Sequence, residues 1–510
     1  MTQQNKRLHP IMLVGTGSDV GKSVLATALC RIFLQDGYRP APFKAQNMAL
    51  NSFATPDGRE IGRAQATQAE ACCLAPSTDM NPLLLKPNTE HTTQVVLNGQ
   101  PIGNRSAYDY FRKEGREQLR KAVCEAYDRL ETQYNPIVLE GAGSVSELNL
   151  RDTDLVNMSM AQHAQADVIL VADIDRGGVF ASTYGSIMLQ KPEDKKRIKG
   201  IIVNKFRGDL RLFEEGRKML EDICHVPVLG VVPMFHHIAI DEEDSMELSQ
   251  KSTHIETGDK INLAIVRLPH ISNFTDFSPL ERDSRINLFY TTQKDDLLHA
   301  DGIILPGTKS TLGDLQTLHD KGLTDTIRKA HQQGVPIMGI CGGYQMLGQR
   351  ILDPDGVEGT PKQMDGIQLL PTVTTMEANK VTRQVEFHFQ TAKGTNSPLC
   401  SGYEIHQGRT TIHYEKDSKA LPLLQLTNGT NDGCRTNLCT GTYIHGIFDN
   451  PSFVEDILTQ CATQAGKQLN PQKPSTLSAE VFRQQQYDLL AAHVRKYVDI
   501  ERIYNLLQQA

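Results

Sequence analysis

Five short apolar runs recur through the first half of the chain: IMLVG (11–15), PIVLEGAG (136–143), DVILVAD (167–173), IKGIIVNK (198–205) and PVLGVVP (227–233). The stretches between them change period. After residue 23, Leu25, Ala28, Leu29, Ile32 and Phe33 return every three or four positions with Gly37 as the stop, and residues 108–133 put Leu119, Val123, Tyr127 and Leu130 on one face. Near-continuous apolar strands alternating with helices predict a doubly wound, mostly parallel sheet covered on both faces. One more strand is expected over 38–44.

Residues 241–260, DEEDSMELSQKSTHIETGDK, lose the period and turn acidic, which reads as a linker. A second α/β series then begins with INLAIVRLP (261–269), GIILPGT (302–308) and GVPIMGICGGYQMLGQ (334–349), and residues 440–444 read as a short strand. Beyond Pro451 the pattern is helical, with Phe482, Tyr487, Leu490 and Val494 at mixed steps of three and four. The expected organisation is an α/β domain over 1–240, a linker over 241–260, a second α/β domain over 261–455 and a C-terminal helical extension over 456–510.

At 510 residues the chain exceeds one core, and typical domain sizes give about two to four. With a net charge of −7 and no basic tract, nucleic acid is excluded as an expected partner. No apolar run reaches the length of a membrane span, and the start, MTQQNKRLHP, lacks a signal-peptide core, so a cytoplasmic location is expected. The ten cysteines are scattered without a CxxC, which favours reduced thiols, and Cys434 and Cys439 lack a second pair for zinc.

Residues 11–23, IMLVGTGSDVGKS, carry an apolar strand into a glycine-rich turn that ends in Gly-Lys-Ser. The backbone N–H groups of such a turn point inward and the following helix offers its positive end, so Gly15, Thr16, Gly17, Ser18, Asp19, Val20 and Gly21 are expected to cradle a triphosphate. Lys22 is expected at the β/γ-phosphates and Ser23 at Mg²⁺. The form G-T-x-x-x-V-G-K-S resembles the dethiobiotin synthetase family, which phosphorylates a carboxyl-type group. The related partition ATPases carry a second lysine where this chain has Gly17.

The strand over 38–44 leads into FKAQNMALNS, placing Lys44, Gln46 and Asn47 at a carboxyl end beside the cradle, where open α/β sheets bind ligands. Glu140 leaves its strand just before Gly-Ala-Gly, within expected reach of a nucleotide-bound Mg²⁺. Asn204 ends another strand, where an amide is able to read an adenine edge.

In the second half, Cys341 ends an apolar run and is followed at once by Gly342-Gly343 and a helical pattern. A sharp strand-to-helix turn of this kind lifts a nucleophile clear of the sheet, and the helix start behind it favours the thiolate. The candidate base is His445, at the end of the 440–444 strand. The pair resembles class I glutamine amidotransferases, with oxyanion donors implied at Gly307, Thr308 and Gly342. Those enzymes show His-Pro-Glu, whereas this chain has His445-Gly446-Ile447, so a Cys-His dyad without an orienting acid is expected. GYEIHQGRT (402–410), including Tyr403, is expected to line the glutamine pocket, with His406 a packed strand residue.

Taken together, GTGSDVGKS, FKAQNMALNS, EIGRAQATQAEAC, LEGAGS and IIVNKFRGD resemble the cobyric acid synthase family over the whole chain. The resemblance implies ATP and Mg²⁺ as requirements and no tightly bound organic cofactor. It further implies Mg²⁺ at Ser23, Glu60 and Glu140, phosphoryl transfer assisted by Lys44, and adenine at Asn204. Asp152, in ELNLRDTD, would lie near the substrate carboxylate. The implied substrates are a corrinoid a,c-diamide, amidated on its b, d, e and g carboxylates, with glutamine and ATP. The alternatives are a cobyrinic acid a,c-diamide synthase-like amidase and a non-catalytic P-loop switch, the latter opposed by Gly17, Cys341 and His445. Whether the chain forms a homodimer stays open.

Overall fold

The computed structural model describes residues 7–87, 92–106, 110, 116–241, 252–359, 361–391, 394–413, 420–469 and 478–508. Residues 242–251 of the expected linker, and 108–109 and 111–115 of the expected helical stretch, lie outside the described residues.

In the first domain β1 (Ile11–Gly15) leads into α1 (Lys22–Gln35) and β2 (Ala41–Phe43). A small hairpin of β3 (Ser52–Ala54) and β4 (Glu60–Gly62) then runs into α2 (Arg63–Ala71). After α3 (Arg116–Gln133) come β5 (Ile137–Glu140), β6 (Asp167–Asp173), β7 (Ile198–Phe206) and β8 (Val228–Pro233). The sheet order is β8-β7-β6-β1-β5-β2, with every pairing parallel.

β1 is central because both its faces are apolar. Ile11 and Leu13 enter one core with α1, whereas Met12 and Val14 enter the other with Leu119, Val123, Tyr127 and Leu130 of α3. The chain fills one side of β1 with β2 and β5 before crossing to β6, so the crevice above β1 is the topological switch point where ligands bind. The cradle opens there.

The second domain builds a parallel sheet from β9 (Ile261–Val266), β10 (Ile286–Thr291), β11 (Gly302–Leu305) and β12 (Ile337–Ile340), which is followed by α4 (Gly342–Leu347). Beside it stands a long antiparallel pair, β13 (Thr372–Phe389) and β14 (Cys400–Ile412). β15 (Cys439–Thr442) returns to the parallel sheet next to β12, and β16 (Ile444–His445) pairs with β14. His445 is thereby carried from one sheet toward the other.

The expected C-terminal extension divides in two. α5 (Pro451–Ala465) spans the boundary drawn at residue 455, and its Phe453, Leu458 and Cys461 join the core of the second domain. α6 (Ala479–Tyr497) and α7 (Ile500–Gln508) instead cover the first domain, where Tyr487, Leu490, Val494, Ile503 and Leu507 pack with Leu25, Leu29 and Phe33 of α1. Polar contacts fasten this return: His9 N donates to Leu507 O at 2.9 Å, Asp499 N to Leu229 O at 2.8 Å and Arg31 Nε to Asp488 at 2.7 Å.

The β3–β4 hairpin joins the two domains. Gln384 Nε2 of β13 donates to Ala54 O at 2.9 Å, Tyr403 Oη of β14 to Ser52 O at 3.4 Å, and the Phe53 and Tyr403 rings lie 4.8 Å apart.

Candidate active site

The cradle forms because Gly21 sits at φ 95°, in the left-handed region, and a Cβ there would come within 2.1 Å of Asn204 Nδ2. Asn204 uses that nitrogen to hold the turn, donating to Val20 O at 2.9 Å. Lys22 Nζ folds over the loop, donating to Gly17 O at 2.9 Å and Gly143 O at 3.0 Å. Beside it Glu140 is almost fully buried, and its Oε1 accepts from Ser23 Oγ at 2.7 Å and Lys44 Nζ at 2.8 Å. The second oxygen accepts from Gln68 Nε2 at 2.6 Å. Burial alone would raise the pKa of Glu140, but the charge of Lys44 and these hydrogen bonds hold it below its ordinary value. An ionised carboxylate next to a hydroxyl is a hard-oxygen donor set suited to Mg²⁺.

These groups open onto a cavity of about 910 Å³. Ser18, Asp19, Gly21, Lys22 and Ser23 line it together with Lys44, Gln46, Asn47 and Glu140, and so do Arg116, Arg120, Asp152 and Lys191. Asp152 lies on a short turn, Leu148–Thr153, that faces this space. The structure therefore brings the cradle, Lys44 and Asp152 to one chamber.

The second centre is built at the end of β12. Cys341 adopts φ 50°, ψ −107°, a strained conformation for a non-glycine residue, and its N–H donates to Thr442 O at 2.8 Å. The elbow closes only because position 343 is glycine, where a Cβ would stand 2.1 Å from Leu305 O. Gly307 and Thr308 reach the same point. A Cβ at Gly307 would meet His445 Cε1 at 3.2 Å, and one at Gly342 would meet Thr308 N at 3.2 Å.

His445 is buried, with Tyr403 stacked on its ring at 5.4 Å, and its Nδ1 lies 2.7 Å from Asp276 Oδ2. Burial disfavours the imidazolium, but the charge and hydrogen bond of Asp276 and the contact with Cys341 raise His445 to about 10. A charged imidazolium beside a cysteine is the arrangement of a thiol–imidazole catalytic pair. His406 is unsuited to such a role: burial lowers it to about 3, and its ring stacks on Tyr443 at 3.7 Å.

Both halves match known families. Residues 11–248 match the CobQ/CobB/MinD/ParA nucleotide binding domain, and residues 262–453 the CobB/CobQ-like glutamine amidotransferase domain. A cobyric acid synthase of Phocaeicola vulgatus is 59% identical over 98% of this chain and 99% of its own. The chain belongs to the cobyric acid synthase family. A cobyric acid synthase of Bacteroides fragilis is also 59% identical, over 99% of each chain. Among solved structures, a glutamine amidotransferase covers 40% of this chain and 98% of its own at 16% identity and a TM-score of 0.30.

Within this cobyric acid synthase family chain, two expectations are corrected. Glu60 does not join Ser23 and Glu140. It is buried at the domain junction, where Oε1 accepts from Lys86 Nζ at 2.7 Å and Oε2 from Lys380 of the second domain. Burial would raise its pKa, yet the charges of Lys380 and Lys86 hold it well below the usual carboxylate range, and the same burial lowers Lys380. The stabilisation from Glu60 is thus present at neutral pH and lost as the pH falls through its depressed folded value. Glu60→Gln is expected to leave the Mg²⁺ concentration for half-maximal ATP consumption within about twofold, while costing about 3 kcal/mol of stability by stranding buried lysines. A Mg²⁺ titration and a denaturant melt measure the two effects.

The second correction concerns the dyad. A carboxylate does face His445, but it is Asp276, 169 residues earlier in the chain. Ile447, at the position where related amidotransferases carry their acid, is fully buried in the apolar core. Gln68 was also missed as a partner of Glu140, although it lies in the EIGRAQATQAEAC stretch that carries the family resemblance. Tyr403, expected in the glutamine pocket, stacks on His445 and packs against Phe53.

Proposed function

We propose that the chain amidates the b, d, e and g carboxylates of adenosylcobyrinic acid a,c-diamide, using ATP and glutamine. The observation that carries this reading is the pairing, in one chain, of a Cys341–His445 centre with a large chamber containing Lys22, Ser23, Lys44 and Glu140. At about 910 Å³ the chamber is at the upper end of small-molecule sites, with room for more than a nucleotide.

A carboxylate is inert to ammonia because its oxygen is a poor leaving group. Its attack on the γ-phosphorus of ATP expels ADP and leaves an acyl phosphate, from which ammonia displaces phosphate and then loses a proton. Lys22 is assigned to the β- and γ-phosphates and Lys44 to the transferring group. Ser23 and Glu140 would hold Mg²⁺, which when bound neutralises phosphate charge. Asn204, whose Nδ2 holds Val20, offers its Oδ1 to the adenine amino group. Asp152 and the basic residues that line the chamber with it are assigned to the substrate's carboxylates.

In the second domain the Cys341 thiolate attacks the glutamine carboxamide, and the N–H groups of Gly307, Thr308 and Gly342 are assigned to the oxyanion. The His445 imidazolium protonates the departing ammonia, then accepts a proton from the water that hydrolyses the thioester to glutamate. A cytoplasmic location completes the reading and accords with ten unpaired cysteines. Among the described residues no helix is long and apolar enough to cross a membrane.

Incubating the protein with cobyrinic acid a,c-diamide in its adenosylated form, MgATP and glutamine is expected to give stepwise acid-to-amide mass shifts, with glutamate released in step. Absence of any shift with either glutamine or ammonium salt would overturn the proposal.

A further inference from the structure

The turn Phe274–Phe277 sits where the two domains meet and makes polar contacts toward both active centres. Asp276 spends both oxygens on the histidine segment: Oδ2 is 2.7 Å from His445 Nδ1, and Oδ1 accepts from Gly446 N at 2.9 Å. Phe277 anchors the turn in the core beside Phe448, at a ring separation of 6.0 Å, and Asp276 N donates to Asn273 O at 3.0 Å.

The start of the turn is held from the other domain. Asn273 Oδ1 accepts from Ser52 N at 2.9 Å, and Phe274 N donates to Asn51 Oδ1 at 3.2 Å. Asn47, Asn51 and Phe274 all line the nucleotide chamber. One strip of backbone therefore touches the chamber on one side and carries the acid facing His445 on the other.

We propose that Asp276 is the positioning residue of the glutaminase, fixing His445 with its Nδ1 proton toward the carboxylate and Nε2 toward Cys341. We further infer that the first domain sets Asp276 in place through Asn51 and Ser52. This rests on reading the second domain as a glutaminase. An imidazole that rotates or changes tautomer presents the wrong nitrogen to the thiol, and a carboxylate on Nδ1 prevents both. The groups facing His445 are Cys341 at the elbow, Asp276 on the turn, and Tyr403 and His406 of β14, with Arg63 of the first domain beyond Tyr403. Among these, Asp276 is the acid within hydrogen-bond reach of the ring.

The test measures glutamate release by the full chain. Asp276→Asn keeps the shape and the acceptor for Gly446 but offers an amide to Nδ1. In a serine triad the equivalent change costs about 10⁴, and a Cys–His ion pair depends less on it, so kcat is expected to fall about 10²- to 10³-fold with KM for glutamine within about threefold. The alkaline limb of kcat/KM is expected to move to lower pH, because the charge that raises His445 is gone. Asp276→Glu is expected to recover part of the rate. Asn273→Ala is expected to lower kcat about tenfold, and adding it to Asp276→Asn to cost nothing further, since both act through one carboxylate.

Wild-type kcat and an unmoved alkaline limb in Asp276→Asn would overturn the positioning role, and additive losses in the double variant would overturn the role of the first domain. If Asp276→Asn does not fold, proton NMR of the wild-type chain decides. A low-field imidazole N–H signal that disappears in His445→Gln supports the proposal, and its absence overturns it. A wild-type chain that releases no glutamate would instead overturn the glutaminase reading itself.

Discussion

Cys341→Ser is expected to abolish glutamine-dependent amidation while ammonium salt still supports the reaction. The hydroxyl lacks the ionised population on which a nucleophile paired with a charged imidazole depends, so glutamate release should fall by at least about 10³-fold. Lys22, Lys44 and Glu140 lie in the other domain and keep their contacts. The ammonium-dependent rate should rise with pH as the free-base fraction grows. Product mass spectra under the two nitrogen sources measure both halves of the result. Loss of both activities in a folded variant would mean that the centres share a step, and the division of labour between domains would have to be abandoned.

Lys22→Ala is expected to remove product formation with either nitrogen source, by about 10³-fold or more. Phosphoryl transfer is catalysed almost entirely by positioning and charge stabilisation, and this ammonium is already aimed across the loop at Gly17 O and Gly143 O. Hydrolysis of glutamine at Cys341 does not pass through the cradle, so glutamate release should persist without amidation. Parallel assays of ADP, glutamate and corrinoid amide test this, and normal product from the purified variant would refute the role of Lys22.

What was legible in the sequence is what chain neighbours decide. The buried parallel strands show as unbroken apolar runs, and the observed β6 coincides with the run at 167–173. The cradle and the Cys341 elbow are also local, because each needs glycines at fixed offsets from one reactive side chain. Other features depend on contacts far apart in sequence. Asp276 sits in ISNFTDFSPL, where nothing separates it from an ordinary loop acid until β16 delivers His445. Glu60 follows the family pattern by position, yet the hairpin turns it toward Lys86 and Lys380. β13 was missed because Glu377, Lys380, Arg383 and Gln384 interrupt its apolar positions, so no continuous run marks it. The apolar face of α6 was visible, whereas its packing against α1 was not.

That packing has a consequence for biosynthesis. During translation β1 and α1 emerge early, but the side chains that cover Leu25, Leu29 and Phe33 arrive with α6 and α7, after the entire second domain has been made. The nucleotide-binding half is started first and finished last, and one side of its core stays open while the glutaminase half is made. A gene divided at the junction between the halves would accordingly leave the first product with an open wall, and the segment 478–508 would have to travel with it to restore a closed core.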